Sequence, residues 1–404
     1  MAAMLLLGFA SGLPLPLTGG TLQAWLTIAG VDLTTIGIFS LVGVPYIIKF
    51  MWAPLMDRFV PTWLGRRRGW IFPIQLGLFF GIGLMGFTQP SCAPLMLGVL
   101  AFLVAFTSAS QDIVIDAYRT DILYEKERGI GAATFVLGYR VAMLVAGALA
   151  LIISDHIGWH KTYLIMALVM IAGMVGTFTG PEPKENTASP KSLKEAVIGP
   201  LQDFMAHPYA FSMILLIVLY KLGDAYAGTM TTTFLLRGVG FSATEVGTIN
   251  KGMGLVATIV GAMFGGTLMV KLGLFRSLMM FGFFQMVSNL SFMALAWFGK
   301  SYELMIFAVA FENLCGGMGT SAFVALLMAL CNKRYSATQF ALLSSLSAFG
   351  RVLISPSSGY VINITGWAMF FFITTLAALP GLWLLWRLRN QIDNLKQGQS
   401  IDNS

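Results

Sequence analysis

A chain of 404 residues with 57% apolar and only 11% charged residues and a mean hydropathy of +0.78 is not a water-soluble globule, since soluble domains carry about 25% charged residues. Its net charge of +7 does not mark a nucleic-acid binder, because no Lys/Arg stretch interleaved with aromatics forms the required surface. Most of the Lys and Arg fall instead in loops on one side of the apolar runs, as the positive-inside rule describes. Cys92, Cys315 and Cys331 cannot form a closed disulfide set and read as small packing residues.

Crossing hydrocarbon takes about 20 mostly apolar residues. The apolar runs predict spans at roughly 4–28, 34–56, 70–89, 94–118, 129–153, 161–180, 208–235, 244–269, 275–298, 303–330, 338–362 and 367–388. The first run lacks the basic lead of a signal peptide and continues through Trp25 to Ile28, so it reads as a span; because Met1 stands almost inside it, a few residues are expected upstream. Between the sixth and seventh spans lies the one long polar connection, 181–207, which opens Pro181-Glu182-Pro183-Lys184. It reads as a cytoplasmic linker between a six-helix half at 1–180 and another at 208–390, with 391–404 as a cytoplasmic tail. The halves echo one another. Thr35-Ile36-Gly37 recurs as Glu245-Val246-Gly247, Gly158-Trp159 as Gly366-Trp367, and Arg140 is matched by Arg351. Asp32 and Ser242 stand where N-caps belong, and Ser242 with Glu245 predicts a capping box. Two parallel six-span repeats joined by a linker are the plan of the major facilitator fold, an all-α membrane architecture whose substrate site is expected near mid-membrane between the halves.

The loop after the second span reads Pro54-Leu55-Met56-Asp57-Arg58, then Gly65-Arg66-Arg67-Arg68-Gly69. It resembles the major facilitator loop motif, with an insertion between its two parts. A carboxylate such as Asp57 can pair with an arginine or face a helix N-terminus. Gating is therefore expected of Asp57, Arg58, Arg66, Arg67 and Arg68, against the plainer reading of a topogenic basic loop.

The fourth span carries the densest chemistry, Ser108, Ser110, Gln111, Asp112, Asp116, Tyr118 and Arg119. Asp112, Asp116 and Arg119 share one helical face. A carboxylate in hydrocarbon is costly and belongs in the bundle interior, paired or protonated. Burial disfavours its charge and a nearby cation restores it, which suits Asp112 and Asp116 to proton coupling. Arg140 is the expected counter-charge of Asp112; a static pin between spans four and five is the alternative. Asp121 with Arg128 reads as interfacial structure. The remaining charges within spans are Lys49, Lys221, Asp224, Lys251, Glu312 and Arg351, with Lys221 and Asp224 spaced to neutralise one another. Together with Gln23, Gln111 and Arg140 they are candidate contacts for an anionic, hydrogen-bonding solute; for any one amide, interhelical bonding is the rival reading.

Other chemistries find little support. The 44 glycines, among them Gly261, Gly265, Gly266 and the run Gly316-Gly317-Met318-Gly319, read as helix-packing residues, and no phosphate loop is present. His156 and His160 flank Gly158 in a short loop and read as surface residues rather than metal ligands. The chain has neither a Gly-x-Ser-x-Gly elbow nor a His-Glu-x-x-His pair, so an embedded enzyme is a poor second reading.

Leu6-Leu7-Gly8-Phe9-Ala10-Ser11-Gly12-Leu13-Pro14, followed by Thr21-Leu22-Gln23-Ala24-Trp25, is similar to the first span of AmpG-type muropeptide permeases. The loop quoted above, through Trp70, and Ser108-Ala109-Ser110-Gln111-Asp112-Ile113-Val114-Ile115-Asp116-Ala117-Tyr118 continue the resemblance, which is strong over the N-terminal half and looser beyond it. It implies a proton-driven importer in the bacterial inner membrane. Both termini are expected in the cytoplasm, no cofactor is expected, and a monomer is the expected working unit. The implied substrate is N-acetylglucosaminyl-1,6-anhydro-N-acetylmuramic acid with or without a short peptide, feeding wall recycling and the signal for β-lactamase induction. The chain is compact for that family, and relatives in the wider group carry acetyl-CoA, so another organic anion is the alternative cargo.

Overall fold

The structure, a computed structural model, describes every residue except 54, 55, 57, 58, 60, 62, 124–127, 183–201, 203, 206–208, 332–335 and 395–404. Among the described residues every regular element is helical. Without water to bond to, a spanning backbone must satisfy its own N–H and C=O groups, which is why runs of this composition form helices.

The spans are α1 (Ala2–Ile28), α2 (Leu33–Met51), α3 (Arg68–Gly86), α4 (Pro94–Arg119), α5 (Ile130–Ile157), α6 (Trp159–Thr179), α7 (Ala210–Val239), α8 (Ala243–Leu272), α9 (Leu274–Phe298) and α10 (Tyr302–Leu330). The last apolar run, Leu342–Arg387, is long enough for two spans. It is interrupted at Gly366, whose φ of 79° and ψ of 171° are not helical, and so divides into α11 (342–365) and α12 (367–387). Gly158, before α6, has the same backbone form at φ 84° and ψ 161°. The two Gly-Trp echoes in the sequence are thus the same turn used twice, at a φ open to glycine. The capping box at Ser242 and Glu245 is also present: Glu245 N donates to Ser242 Oγ at 3.2 Å and Ser242 N to Glu245 Oε2 at 2.7 Å.

Contacts divide the chain into two compact units. The first comprises Met1–Asp32, Phe39–Lys191 and Ser242–Lys251; the second comprises Leu33–Ile38, Ser192–Phe241 and Gly252–Ser404. In the first unit α1 lies directly on α5. Gly8 and Gly12 meet the carbonyls of Phe135 and Tyr139, Gly138 meets that of Leu5, and there is no room for a Cβ at any of the three. In the second unit α8 and α10 do the same through Gly261 on the Leu314 carbonyl and Gly317 on the Thr258 carbonyl. Lipid supplies no hydrophobic drive between helices, so this close approach and its dispersion contacts are what join them.

The two short segments that change unit carry the first sequence echo. Gly247, in the first unit, packs on the Ala148 carbonyl, and there Asp155 Oδ2 accepts from Thr244 N at 3.2 Å and Thr244 Oγ1 at 2.7 Å. Gly37, in the second unit, packs on the Pro356 carbonyl, and Asn363 Nδ2 donates to Thr34 Oγ1 at 3.3 Å. The second unit centres on Tyr220 stacked on Phe323 at 5.6 Å, with Leu216, Leu278, Phe281 and Leu326 around them. Outward positions stay apolar, with Leu95, Val270 and Phe298 at least 80% exposed, as a lipid-facing surface requires. Of the cysteines, Cys92 is exposed, Cys331 half-buried and Cys315 buried, all three as free thiols.

Candidate functional site

In the first unit the key carboxylate is Asp112 on α4. Ser11 Oγ on α1 donates to its Oδ1, and the charges that act on it are Lys49 of α2 and Asp116 one turn along. The cation acting on Asp112 is Lys49; Arg140 is half-buried on α5 and is not among the charges acting on it. A position level with Asp112 along the bilayer does not fix which way a helix turns its side chain. Tyr46, half-buried beside Asp112 with its hydroxyl oxygen enclosed, faces Ser108 and Thr18 without closing a bond of good geometry. Ser108 Oγ and Gln111 Oε1 are likewise buried without a partner, while Gln111 Nε2 donates to the Ala10 carbonyl at 2.9 Å. These polar atoms are available for further hydrogen bonds. Lys251 reaches into the same unit, its Nζ lying against Gly20 and its stem against Gly147. Gln23 is half-buried on α1.

Toward its end α4 becomes structural. Asp116 pairs with Arg119 at 3.2 Å, and the Arg119 guanidinium lies 4.7 Å over the Phe135 ring. Asp121 pairs with Arg67 Nε at 2.7 Å; the side chain of Arg128, its expected partner, lies outside the described residues. Glu182, the second residue of the linker, accepts from Arg67 N at 2.8 Å and Arg68 N at 3.3 Å and so caps α3. Tyr118 Oη donates to the Pro181 carbonyl at 2.8 Å. Of the expected gating residues, Arg66, Arg67 and Arg68 surround this junction, while Asp57 and Arg58 lie outside the described residues.

The second unit gathers Lys221, Asp224 and Glu312. Lys221 Nζ stands 3.9 Å from Asp224 Oδ2, donates to Thr320 Oγ1 at 3.1 Å and feels the charge of Glu312. Asn313 Nδ2 donates to Glu312 Oε2 at 2.7 Å, and Thr258 donates to Asn313 Oδ1 at 3.1 Å. The side chain of Arg351 lies outside the described residues. Tyr46, Ser11 and Thr320 went unmarked in the sequence. Their types are unremarkable in helices, and only packing brings them to charges distant along the chain. His156 and His160 each spend Nδ1 on a backbone carbonyl, of Ile152 at 2.8 Å and of Gly86 at 2.7 Å. Among the described residues no cluster of His, Cys, Asp or Glu is able to hold a metal.

Among the described residues eleven apolar helices are long enough to cross a membrane, the last of them long enough for two spans, and half-buried charges stand in each unit, as in a multi-pass membrane protein. The pattern of the Major Facilitator Superfamily matches residues 2–303, and the chain belongs to that family. It is 54% identical over 393 residues to the anhydromuropeptide permease of Escherichia coli K12, covering 97% of this chain and 80% of that protein. A putative transporter of Rickettsia felis, AmpG 4, is 34% identical over 96% of both chains. Among solved structures the nucleoside transporter NupG superposes with a TM-score of 0.75 at 12% identity, covering 96% of this chain and 98% of its own. A bacterial homologue of the lysosomal transporter Spinster does so with 0.75 at 15%, covering 98% and 96%. At such identities these two speak for the fold alone.

Proposed function

We propose that this chain is a proton-driven importer of anhydromuropeptides across the bacterial inner membrane. The observation that carries the reading is the half-buried Asp112 carboxylate, acted on by the charge of Lys49 and held by Ser11, in a chain 54% identical to a permease named for that cargo. The chemistry follows from charge balance. With Asp112 ionised, Lys49 is neutralised and has no call on an anion. A proton on Asp112 cancels the carboxylate and leaves the ammonium unbalanced in a low-dielectric site, where a substrate carboxylate can replace it. Proton and anion then favour one another's binding, and such linkage is reciprocal. Tyr46, Ser108 and Gln111 offer their idle polar atoms to sugar hydroxyls and amides. In the second unit Lys221 between two carboxylates suits a zwitterionic peptide stem. Lys251, Arg140, Gln23 and Arg351 complete the proposed contacts, and Asp116, Asp57, Arg58 and Arg66–Arg68 are assigned to coupling and gating.

In this reading residues 1–180 and 208–390 are the two moving halves, 181–207 their linker and 391–404 a tail, with both termini cytoplasmic, a monomer sufficient, and the proton gradient the only energy source. The test is uptake of labelled anhydromuropeptide into proteoliposomes with and without an inward proton gradient. Gradient-dependent accumulation of intact substrate is expected. Folded protein that takes up none would move the assignment to another organic anion, such as acetyl-CoA.

A further inference from the structure

Arg68 opens α3 and carries a cation with no carboxylate partner among the described residues. Its guanidinium lies 5.9 Å from the Phe178 ring centroid, its Nε is buried with no hydrogen-bond partner, and among the described residues it makes no ion pair. Among the described residues the nearby acids are already engaged: Asp121 holds Arg67 at 2.7 Å, and Glu182 holds the backbone N–H groups of Arg67 and Arg68 at 2.8 and 3.3 Å. Beside this cation runs a chain of rings that face outward. Trp63 is 58% and Phe178 49% exposed, and Phe72 joins them edge-on at 5.9 and 4.9 Å. In a chain that spans a bilayer, exposed rings at a helix end mark the depth where acyl chains meet headgroups. Fixed positive charge at that depth attracts anionic lipid.

We infer that Arg68, with Trp63, Phe72 and Phe178, forms a binding site for an anionic phospholipid. The lipid phosphate sits on the guanidinium, which presents planar, paired donors to such oxygens, and an acyl chain lies along the rings. A free phosphate would satisfy the cation but leave the rings without an occupant, and a neutral lipid would do the reverse. None of the site's residues is among the contacts proposed above for the substrate. Its occupant bears on stability at the junction of α3, α6 and the linker.

The experiment measures thermal unfolding of detergent-purified full-length protein with added phosphatidylglycerol, phosphatidylcholine or inorganic phosphate, together with native mass spectrometry to count retained lipid. Phosphatidylglycerol is expected to raise the midpoint by several degrees more than phosphatidylcholine and to be retained one per chain. Arg68→Gln should weaken retention about five-fold, the factor one cation near an anionic surface is worth, whereas Arg276→Gln, which removes an exposed charge elsewhere, should not. Phe178→Ala should weaken it while leaving the charge in place, and serves if Arg68→Gln does not fold. Equal effects of the two lipids on the unmodified protein would overturn the proposal. So would equal losses in Arg68→Gln and Arg276→Gln, or full stabilisation by phosphate alone.

Discussion

Lys49 and Asp112 are best tested as a pair. They are half-buried opposite charges rather than a closed ion pair, so removing one should cost less than the roughly 3–5 kcal/mol of a fully buried pair. Lys49→Met and Asp112→Asn are each expected to lower the melting temperature in detergent, while the double variant recovers most of the loss. Neither single variant nor the double should concentrate substrate against its gradient; an Asp112→Asn protein that did so would remove Asp112 as the proton site. Tyr46 behaves differently. Its hydroxyl is buried without a good partner, so Tyr46→Phe removes an unsatisfied group and should leave stability unchanged or slightly higher. Reduced uptake in that variant would assign the hydroxyl to the substrate. Asp112 was legible in the sequence because a carboxylate amid apolar residues has few structural reasons to be there. Lys49 was legible as a charge but not as this partner, because the pairing depends on how α2 and α4 are rotated about their axes. Lys221 with Asp224 was legible because one helical turn brings them together whatever the rest of the fold does.

At the scale of the element, the spans were readable because hydropathy and length are properties of single segments. So were the capping box at Ser242 and the Gly158 and Gly366 turns, which depend on neighbours in sequence. The seating of α1 on α5 was not readable in detail: several glycines fit a packing stripe, and only the assembled helices show which ones touch. The structure makes the distinction testable. Gly8→Ala and Gly261→Ala place a methyl group against a backbone carbonyl and should each destabilise by about 1–3 kcal/mol, as overpacking does. Gly228→Ala and Gly266→Ala, where a Cβ meets nothing, should be neutral or slightly stabilising. Glu182 is the corresponding case at a helix end. Its carboxylate occupies two N–H groups at the start of α3, so Glu182→Ala should cost about 1 kcal/mol, the usual worth of a cap, in the same unfolding assay. The Pro-Glu opening of the linker was visible in the sequence, but nothing local indicated that it folds back onto α3.

The whole molecule shows the duplication more plainly than the sequence did. Gly37 and Gly247 make equivalent backbone contacts in opposite units, and Gln75 and Gln285, one on α3 and one on α9, are both buried with Nε2 unpartnered. The proposed orientation has a direct check. A fluorescent protein fused after residue 404 should fluoresce, and alkaline phosphatase at the same point should be inactive; the reverse result would invert the topology.

The free thiols extend that check without any mutation. Of the three, only Cys92 is exposed, in the short turn between α3 and α4, so the unmodified chain carries its own attachment point for a maleimide dye. In intact spheroplasts a membrane-impermeant maleimide should label this one position, report which face of the membrane it occupies, and leave in place a single fluorophore with which to follow the carrier as it works.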